Sequence, residues 1–292
     1  MPNRTRPTKT KQGLKLGVHV SAAGSIADAP LRAHELGCES FQFFARSPRG
    51  GPAPALTDEI VELFQRRCRE FDLPSVIHAP YYINFASAKP ETRHAAITVL
   101  RDELERGSRL GCQAMMTHLG SAKNVGSKAA LRLTIEGIAA MLKGYSGETR
   151  FLIELSAGAG EIIGDTFEEV RDIIKGVERT VKHRVGVCFD TCHAFASGYD
   201  LRTPASVKKT LAAFDQIIGL DRLIVVHLND AKFGLGSHKD RHEHIGLGEI
   251  GNNGFRELMR LKPFDGLIGI LETPQDDQLA HDLATLKHFR GA

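Results

Sequence analysis

No stretch of the chain approaches the roughly 18 consecutive apolar residues of a membrane-spanning helix. The opening, MPNRTRPTKTKQGLK, also has no apolar segment of the kind a secretion signal needs. The expectation is a cytoplasmic protein with no membrane partner. Cysteine is sparse, with five residues at positions 38, 68, 112, 188 and 192. An odd number, scattered through a chain long enough to build its own core, argues against a disulfide framework and for reduced thiols. Cys188 and Cys192 stand four apart with no second pair, so they do not make a structural zinc site of the four-cysteine or two-cysteine, two-histidine kind. No glycine-rich phosphate loop or dinucleotide fingerprint follows the first apolar run. The interior has no linker-like Gly/Ser or Pro tract, so a single domain is expected over residues 16–292.

Acidic residues are absent from positions 1–15, which carry Arg4, Arg6, Lys9, Lys11 and Lys15. The 38 basic side chains of the whole therefore fall to 33 against 35 acidic ones in the rest. Residues 1–15 read as a basic, flexible arm: by composition a solvated tail, with the charge to touch phosphates. In other respects the composition is that of an ordinary soluble protein. At 292 residues, 42% hydrophobic and 25% charged, the chain can bury one large core.

Short apolar runs recur at the spacing of one strand plus one helix. They are LGVHVS from Leu16, SFQFFA from Ser40, SVIHAP from Ser75, AMMTHLG from Ala114, RFLIELS from Arg150, VGVCFDT from Val185, LIVVHLND from Leu223 and GLIGILET from Gly266. Helical patterns separate most of them. TDEIVELFQRRCREF has an acidic first turn, ETRHAAITVLRDELERGSRLG ends in glycine, and TFEEVRDIIKGV opens with a Thr166-x-x-Glu169 capping box. Alternating strand and helix imply a parallel sheet covered by helices. Eight such units fit a closed (β/α)8 TIM barrel better than an open doubly wound sheet.

The polar residue that ends the apolar part of each run from the third onward, as in SVIH, MMTH, LIE, VCFD, IVVH and GILE, carries the chemistry: His78, His118, Glu154, Asp190, His227 and Glu272. In a parallel barrel these ends share one rim, where catalytic sites lie. A lone histidine at a strand end is more often a hydrogen-bonded core residue, but six polar ends in succession do not share that explanation. Carboxylates and imidazoles converging on a dry rim would be costly without a cation.

His193 follows Asp190 by three residues, and the long connection after the seventh run offers Asp240 and His242, with His238 and His244 as weaker candidates. Nine favoured ligands, some carboxylates bridging, suit two or three ions. Their imidazole content favours zinc over magnesium or calcium. Adjacency suggests His78, His118 and Glu154 for one ion and Asp190, His227 and Glu272 for a second, with Glu154 close enough to bridge. His193, Asp240 and His242 would hold a third. Cys188 and Cys192 are read as packed thiols, with a single-cysteine ligand as a lesser alternative.

HVSAAGSI, HAPYYINFAS, FDTCHAFASGYDLRTP, HLNDAK, DRHEHIGLGEIG and LET together resemble endonuclease IV, the zinc-dependent apurinic/apyrimidinic endonuclease family of base-excision repair. The resemblance runs from about Leu16 to Leu286. It implies a TIM barrel with three Zn2+ per chain on the nine residues above, and Glu154 among the bridging carboxylates. The substrate implied is double-stranded DNA with an abasic site, cut on its 5' side to leave a 3'-hydroxyl and a 5'-deoxyribose phosphate, with blocked 3' ends as further substrates. Glu154 and Glu272 would be catalytic as well as metal-binding, with Glu272 orienting the attacking water.

The same resemblance assigns damage recognition to Arg49 in ARSPRGG and to Tyr81 and Tyr82 in HAPYYINF, which would fill the gap in bent DNA. Here the chain departs from its family, which more often shows Tyr-Leu at the tyrosine pair and an Asn and a Trp where this sequence has Ser47 and Gly51. By packing alone, the two tyrosines could equally support a strand-to-helix loop. Lys232 and Arg241 are possible phosphate contacts or solvated loop charges. A monomer is expected. The rival readings are a sugar isomerase or epimerase, whose sites are richer in carboxylates and use one or two ions, and a DNA-damage binder with a vestigial cluster.

Overall fold

The computed structural model describes residues 13–291. Residues 1–12 of the basic segment lie outside the described residues, and the segment's end is shorter than expected because Lys15 already opens the first strand. Eight parallel strands close a barrel: β1 (Lys15–His19), β2 (Ser40–Phe43), β3 (Ser75–His78), β4 (Ala114–Thr117), β5 (Arg150–Glu154), β6 (Gly186–Asp190), β7 (Leu223–His227) and β10 (Ile268–Leu271). Neighbours follow in the order β1-β10-β7-β6-β5-β4-β3-β2, closing where Lys15 pairs with Ile268. Each expected run contains its strand except the first, where the strand begins one residue before Leu16, and the (β/α)8 TIM barrel is the observed architecture. Unanticipated is a small antiparallel pair after β7, β8 (Asp230–Ala231) with β9 (His242–Glu243).

Helices α1 (Ala29–Glu35), α2 (Asp58–Glu70), α3 (Pro90–Leu110), α4 (Ser127–Leu142), α5 (Phe167–Glu178), α7 (Pro204–Ile217), α8 (Gly251–Met259) and α9 (Leu279–Gly291) cover the outside, while the short, fully buried α6 (Thr191–Ala196) follows β6 at the rim. Their ends follow local chemistry. Thr57 caps α2 by accepting the Ile60 N–H, and Gly111, at φ 77°, ends α3 in the left-handed conformation that glycine adopts without a Cβ clash. Only half of the Thr166/Glu169 box forms. Thr166 accepts the Glu169 N–H, but the Glu169 carboxylate takes the Gly164 N–H at 2.6 Å instead. The reciprocal box occurs at Thr203 and Ser206, ahead of α7.

Strand periodicity builds the site. Val76, Ala114, Met116, Leu152, Cys188, Val225, Ile268 and Ile270 pack together in a cluster of their own, apart from the core between barrel and helices. Side chains alternate across a strand, so the residue two positions later faces the same way. Two positions above Val76, Met116, Leu152, Cys188, Val225 and Ile270 stand His78, His118, Glu154, Asp190, His227 and Glu272. The apolar layer is thus the floor on which a polar layer stands. Among the described residues no helix is long and apolar enough to cross a membrane.

Candidate metal centre

All nine expected ligands meet at the carboxyl-terminal rim. His78 Nε2 lies 3.0 Å and His118 Nε2 3.6 Å from Glu154 Oε2. On the other side of that carboxylate, His227 Nδ1 lies 3.0 Å from Glu154 Oε1, 3.2 Å from Glu272 Oε2 and 3.7 Å from Asp190 Oδ2. Further along the rim, Asp240 Oδ1 is 3.2 Å from His193 Nε2 and 3.5 Å from His242 Nε2. Ligand atoms able to share an ion fall into the groups His78/His118/Glu154, Glu154/Asp190/His227/Glu272 and Asp190/His193/His242. The first two match the division expected from strand adjacency. In the third, Asp190 joins the two histidines, and Asp240 reaches the same nitrogens from a half-exposed loop position.

The outer nitrogens of four imidazoles are already committed. His78 Nδ1 donates to Ala79 O at 2.7 Å, His193 Nδ1 to Leu155 O at 2.9 Å, His242 Nδ1 to Glu272 O at 3.0 Å, and His227 Nε2 to the Gln42 side-chain oxygen at 2.8 Å. Each of these bonds holds a ring proton on the outside, so the inner nitrogen is the one that faces the centre and is free for a metal once deprotonated, as metal-binding histidines require. His193 Nε2 and His242 Nε2 are buried and make no hydrogen bond among the described residues. They face Asp240 across a common space.

Electrostatics report the same crowding. Burial alone would raise the Glu154 carboxyl, but the imidazoles of His118, His227 and His78 outweigh it and hold the group well below the usual carboxylate range. Glu272 behaves likewise, burial being overcome chiefly by His227. Burial would lower His193, yet Asp190 and Asp240 push it up to about 10. The carboxylates likewise outweigh burial at His78 and His227 and push both up, whereas burial prevails at His118 and lowers it.

Within the expected set, Asp190 Oδ1 accepts the His193 N–H, capping α6. Residues outside the set also hold it in place: Asn229 spans two ligands by donating to Asp190 Oδ2 at 2.7 Å and accepting the Glu272 N–H at 2.8 Å. Asp230 gathers the backbone N–H groups of Ala231, Gly246, Gly248, Ile250 and Gly251, which ties down the connection carrying Asp240 and His242. Gln42 and His19 complete the polar layer from β2 and β1. Their signal was the one used for the other strands, since His19 ends the first strand and Gln42 lies on the inward parity of the second.

The weaker candidates do not take part. His244 turns outward, with Nδ1 2.8 Å from Asp282 Oδ2 and Nε2 3.2 Å from Asp276 Oδ2, so both nitrogens are engaged elsewhere. His238 belongs to none of the ligand groups and sits exposed beside Gly158. Cys188 is within reach of Glu154 and His227, but it lies in the apolar floor, where burial pushes its thiol up to about 12. Cys192 is buried with its sulfur against Arg241 O.

The centre opens into a cleft of about 520 Å3 lined among others by His19, Phe44, Tyr81, Arg241 and Glu272. Tyr81 is 65% exposed at its mouth, with its ring 5.3 Å from Phe44 and 5.8 Å from His78. Tyr82 is exposed beyond the cleft lining, and Arg49 projects from the β2–α2 loop without lining the cleft. That loop is anchored by buried Arg46, which donates to Glu103 at 2.7 Å and pairs with Asp102, both on α3.

An eight-stranded barrel with imidazoles and carboxylates gathered on its carboxyl-terminal rim defines a class, and residues 30–289 match the family described as xylose isomerase-like TIM barrel. Within that class the likeness is specific. A probable endonuclease 4 of Methanoculleus marisnigri is 41% identical over 281 residues, covering 95% of this chain and 99% of the relative. The crystal structure of endonuclease IV from Thermus thermophilus superposes with a TM-score of 0.82 at 35% identity, covering 95% and 98% of the two chains. A D-tagatose 3-epimerase-like protein, at 20% identity and a TM-score of 0.70 over 94% of this chain and 97% of its own, shares the fold alone. The chain belongs to the endonuclease IV family.

Proposed function

We propose that the protein is a DNA repair endonuclease that holds three Zn2+ on His78, His118, Glu154, Asp190, His193, His227, Asp240, His242 and Glu272. It hydrolyses the phosphodiester 5' to an abasic site in duplex DNA, leaving a 3'-hydroxyl and a 5'-deoxyribose phosphate, and clears blocked 3' ends. The observation that carries this reading is the set of histidines whose outer nitrogens are tied to oxygen acceptors while their inner nitrogens face carboxylates. The spacing supports zinc. Bonds of about 2.0 to 2.1 Å in a tetrahedron set ligand atoms about 3.3 Å apart, and the facing atoms here lie between 3.0 and 3.8 Å apart. His193 Nε2 and His242 Nε2 are buried facing the Asp240 carboxylate, a pairing that a shared cation would complete.

Zinc, when bound, activates water near neutral pH and neutralises charge building on the phosphoryl oxygens. The chain's own groups do the rest. Glu272 Oε1 is fixed by Gln42 at 2.6 Å, so the carboxylate stands at the open side of the centre with one orientation and can orient the attacking water. Arg241, exposed on the cleft wall, supplies positive charge toward a phosphate. Tyr81 at the cleft mouth, with exposed Tyr82 and Arg49 on the neighbouring loops, would fill the gap in the base stack.

The test is incubation of the purified protein with a duplex bearing one abasic analogue, with and without chelator, followed by identification of the new ends. A chelator-sensitive 3'-hydroxyl on the 5' side of the lesion is expected. No cleavage in the metal-loaded protein would overturn the reading. The epimerase alternative leaves His193, Asp240 and His242 without a task.

A further inference from the structure

Each of the eight barrel strands contributes one polar residue close to its carboxyl end, and two of those residues, His19 and Gln42, are not needed as ligands. Gln42 is fully buried and all its polar capacity is used. Its Nε2 donates to Glu272 Oε1 at 2.6 Å and meets His19 Nδ1 at 3.0 Å, while its Oε1 accepts from His227 Nε2 at 2.8 Å. The amide cannot be reversed. Turned over, its oxygen would lie against the Glu272 oxygen, two acceptors in contact, and its NH2 would face the protonated nitrogen of His227.

Because the amide nitrogen has only donors, His19 Nδ1 is the acceptor and the ring proton of His19 sits on Nε2. One carboxamide thereby sets two tautomers: His227 with its lone pair toward the centre, and His19 with its N–H away from Gln42. His19 lines the cleft, its ring packed 4.4 Å from Phe44 and tilted 52° to it, and Nε2 meets no acceptor among the described residues. With Nδ1 occupied and Nε2 protonated, His19 is not a further metal ligand. It is a held donor aimed at whatever fills the cleft.

We propose that His19 is a substrate-contacting residue whose Nε2–H donates to an oxygen of the phosphodiester in the cleft, and that Gln42 is the positioning residue that fixes this donor. The assignment rests on the phosphodiester-hydrolase reading above. It matches the chemistry of that substrate, because a neutral N–H recognises an anionic oxygen without competing for zinc.

The test compares His19→Leu, which removes the donor, with His19→Gln, whose carboxamide N–H reaches the Nε2 position, in the zinc-loaded full chain. On an abasic duplex, His19→Leu lowers kcat/KM by about 10- to 100-fold and His19→Gln recovers to within about 5-fold of wild type, both with wild-type metal content. Inorganic phosphate titrated calorimetrically binds about 10-fold more weakly to His19→Leu and near normally to His19→Gln. Long-range 1H–15N NMR finds His19 as the Nε2–H tautomer in the wild type, and Gln42→Leu abolishes that preference.

Wild-type turnover by His19→Leu, equal losses in both His19 variants, loss of metal from either, or an Nδ1–H signal in the wild type would each overturn the proposal. Failure of the wild type to cleave abasic DNA would instead refute the hydrolase reading. The phosphate titration and the tautomer would still judge His19.

Discussion

The backbone N–H of His193 is held by Asp190 Oδ1 at 2.8 Å, so the carboxylate that ends β6 also caps α6 and fixes where the His193 ring enters the rim. The other oxygen, Oδ2, faces His227, His242 and Asn229. Cap and ligand can be separated chemically. Asparagine is as good an N-cap as aspartate, but its amide is a poor substitute for an anionic ligand. Asp190→Asn should keep the fold and lower both metal content and cleavage, the latter by at least about 100-fold. Asp190→Ala should in addition cost about 1 kcal/mol of stability. Denaturant unfolding and elemental analysis of the two variants check this, and a fully metallated, active Asp190→Asn enzyme would show that the carboxylate serves only as a cap.

Glu272 is held on two sides, by the Gln42 amide and by the Asn229 side chain, and is only partly buried. Glu272→Gln should fold normally and lose most cleavage, because a neutral amide weakens both metal binding and the alignment of water. Near-normal turnover with a full metal complement would count against the role given to Glu272.

Tyr81 and Tyr82 are among the few large apolar side chains left exposed, and neither belongs to the ligand set. Truncating both to Ala should leave metal content unchanged and remove stacking worth about 1 to 3 kcal/mol per base where it is made. Phosphate contacts serve any duplex, whereas a wedge serves only the kinked one, so the loss should be larger for abasic than for intact DNA. Both affinities are compared at one fixed salt concentration. Equal losses would make the pair a loop support.

Much of this was legible from the sequence because a barrel strand is simple to read. A run such as LIVVH fixes its own parity, and the polar residue at its end must face the axis if the residue two before it does. His19 and Gln42 carry the same inward parity on the first two strands but lay outside the expected ligand set; Gln42 stands one residue before its strand's end and is not an imidazole or carboxylate, so it gives no metal signal. Loop chemistry was less accessible. His242 and His244 share one parity, so alternation would set them on the same face; His244 faces Asp282 instead because the strand ends at Glu243 and the Ile245 N–H is held by Asp282, which nothing local in DRHEHIG signals. The half-formed box at Thr166 failed for a related reason: Glu169 had a second N–H, that of Gly164, within reach.

With Asp190 and Asp240 holding His193 up to about 10, this imidazole carries a proton at pH 8, and binding zinc through Nε2 must expel it. Adding zinc to the metal-free protein in weak buffer at that pH should release at least about one proton per chain. Measured metal uptake without proton release would mean that the imidazoles are already neutral and that the carboxylates do not hold them as described.

The central claim is that nine side chains from one rim, His78, His118, Glu154, Asp190, His193, His227, Asp240, His242 and Glu272, hold a cluster rather than a single ion. Elemental analysis of the purified protein, referenced to its concentration, tests this most directly. The account predicts close to three zinc-site metals per chain, about three protein ligands to each with the bridging carboxylates shared, and at most one tightly bound transition metal per chain would contradict it.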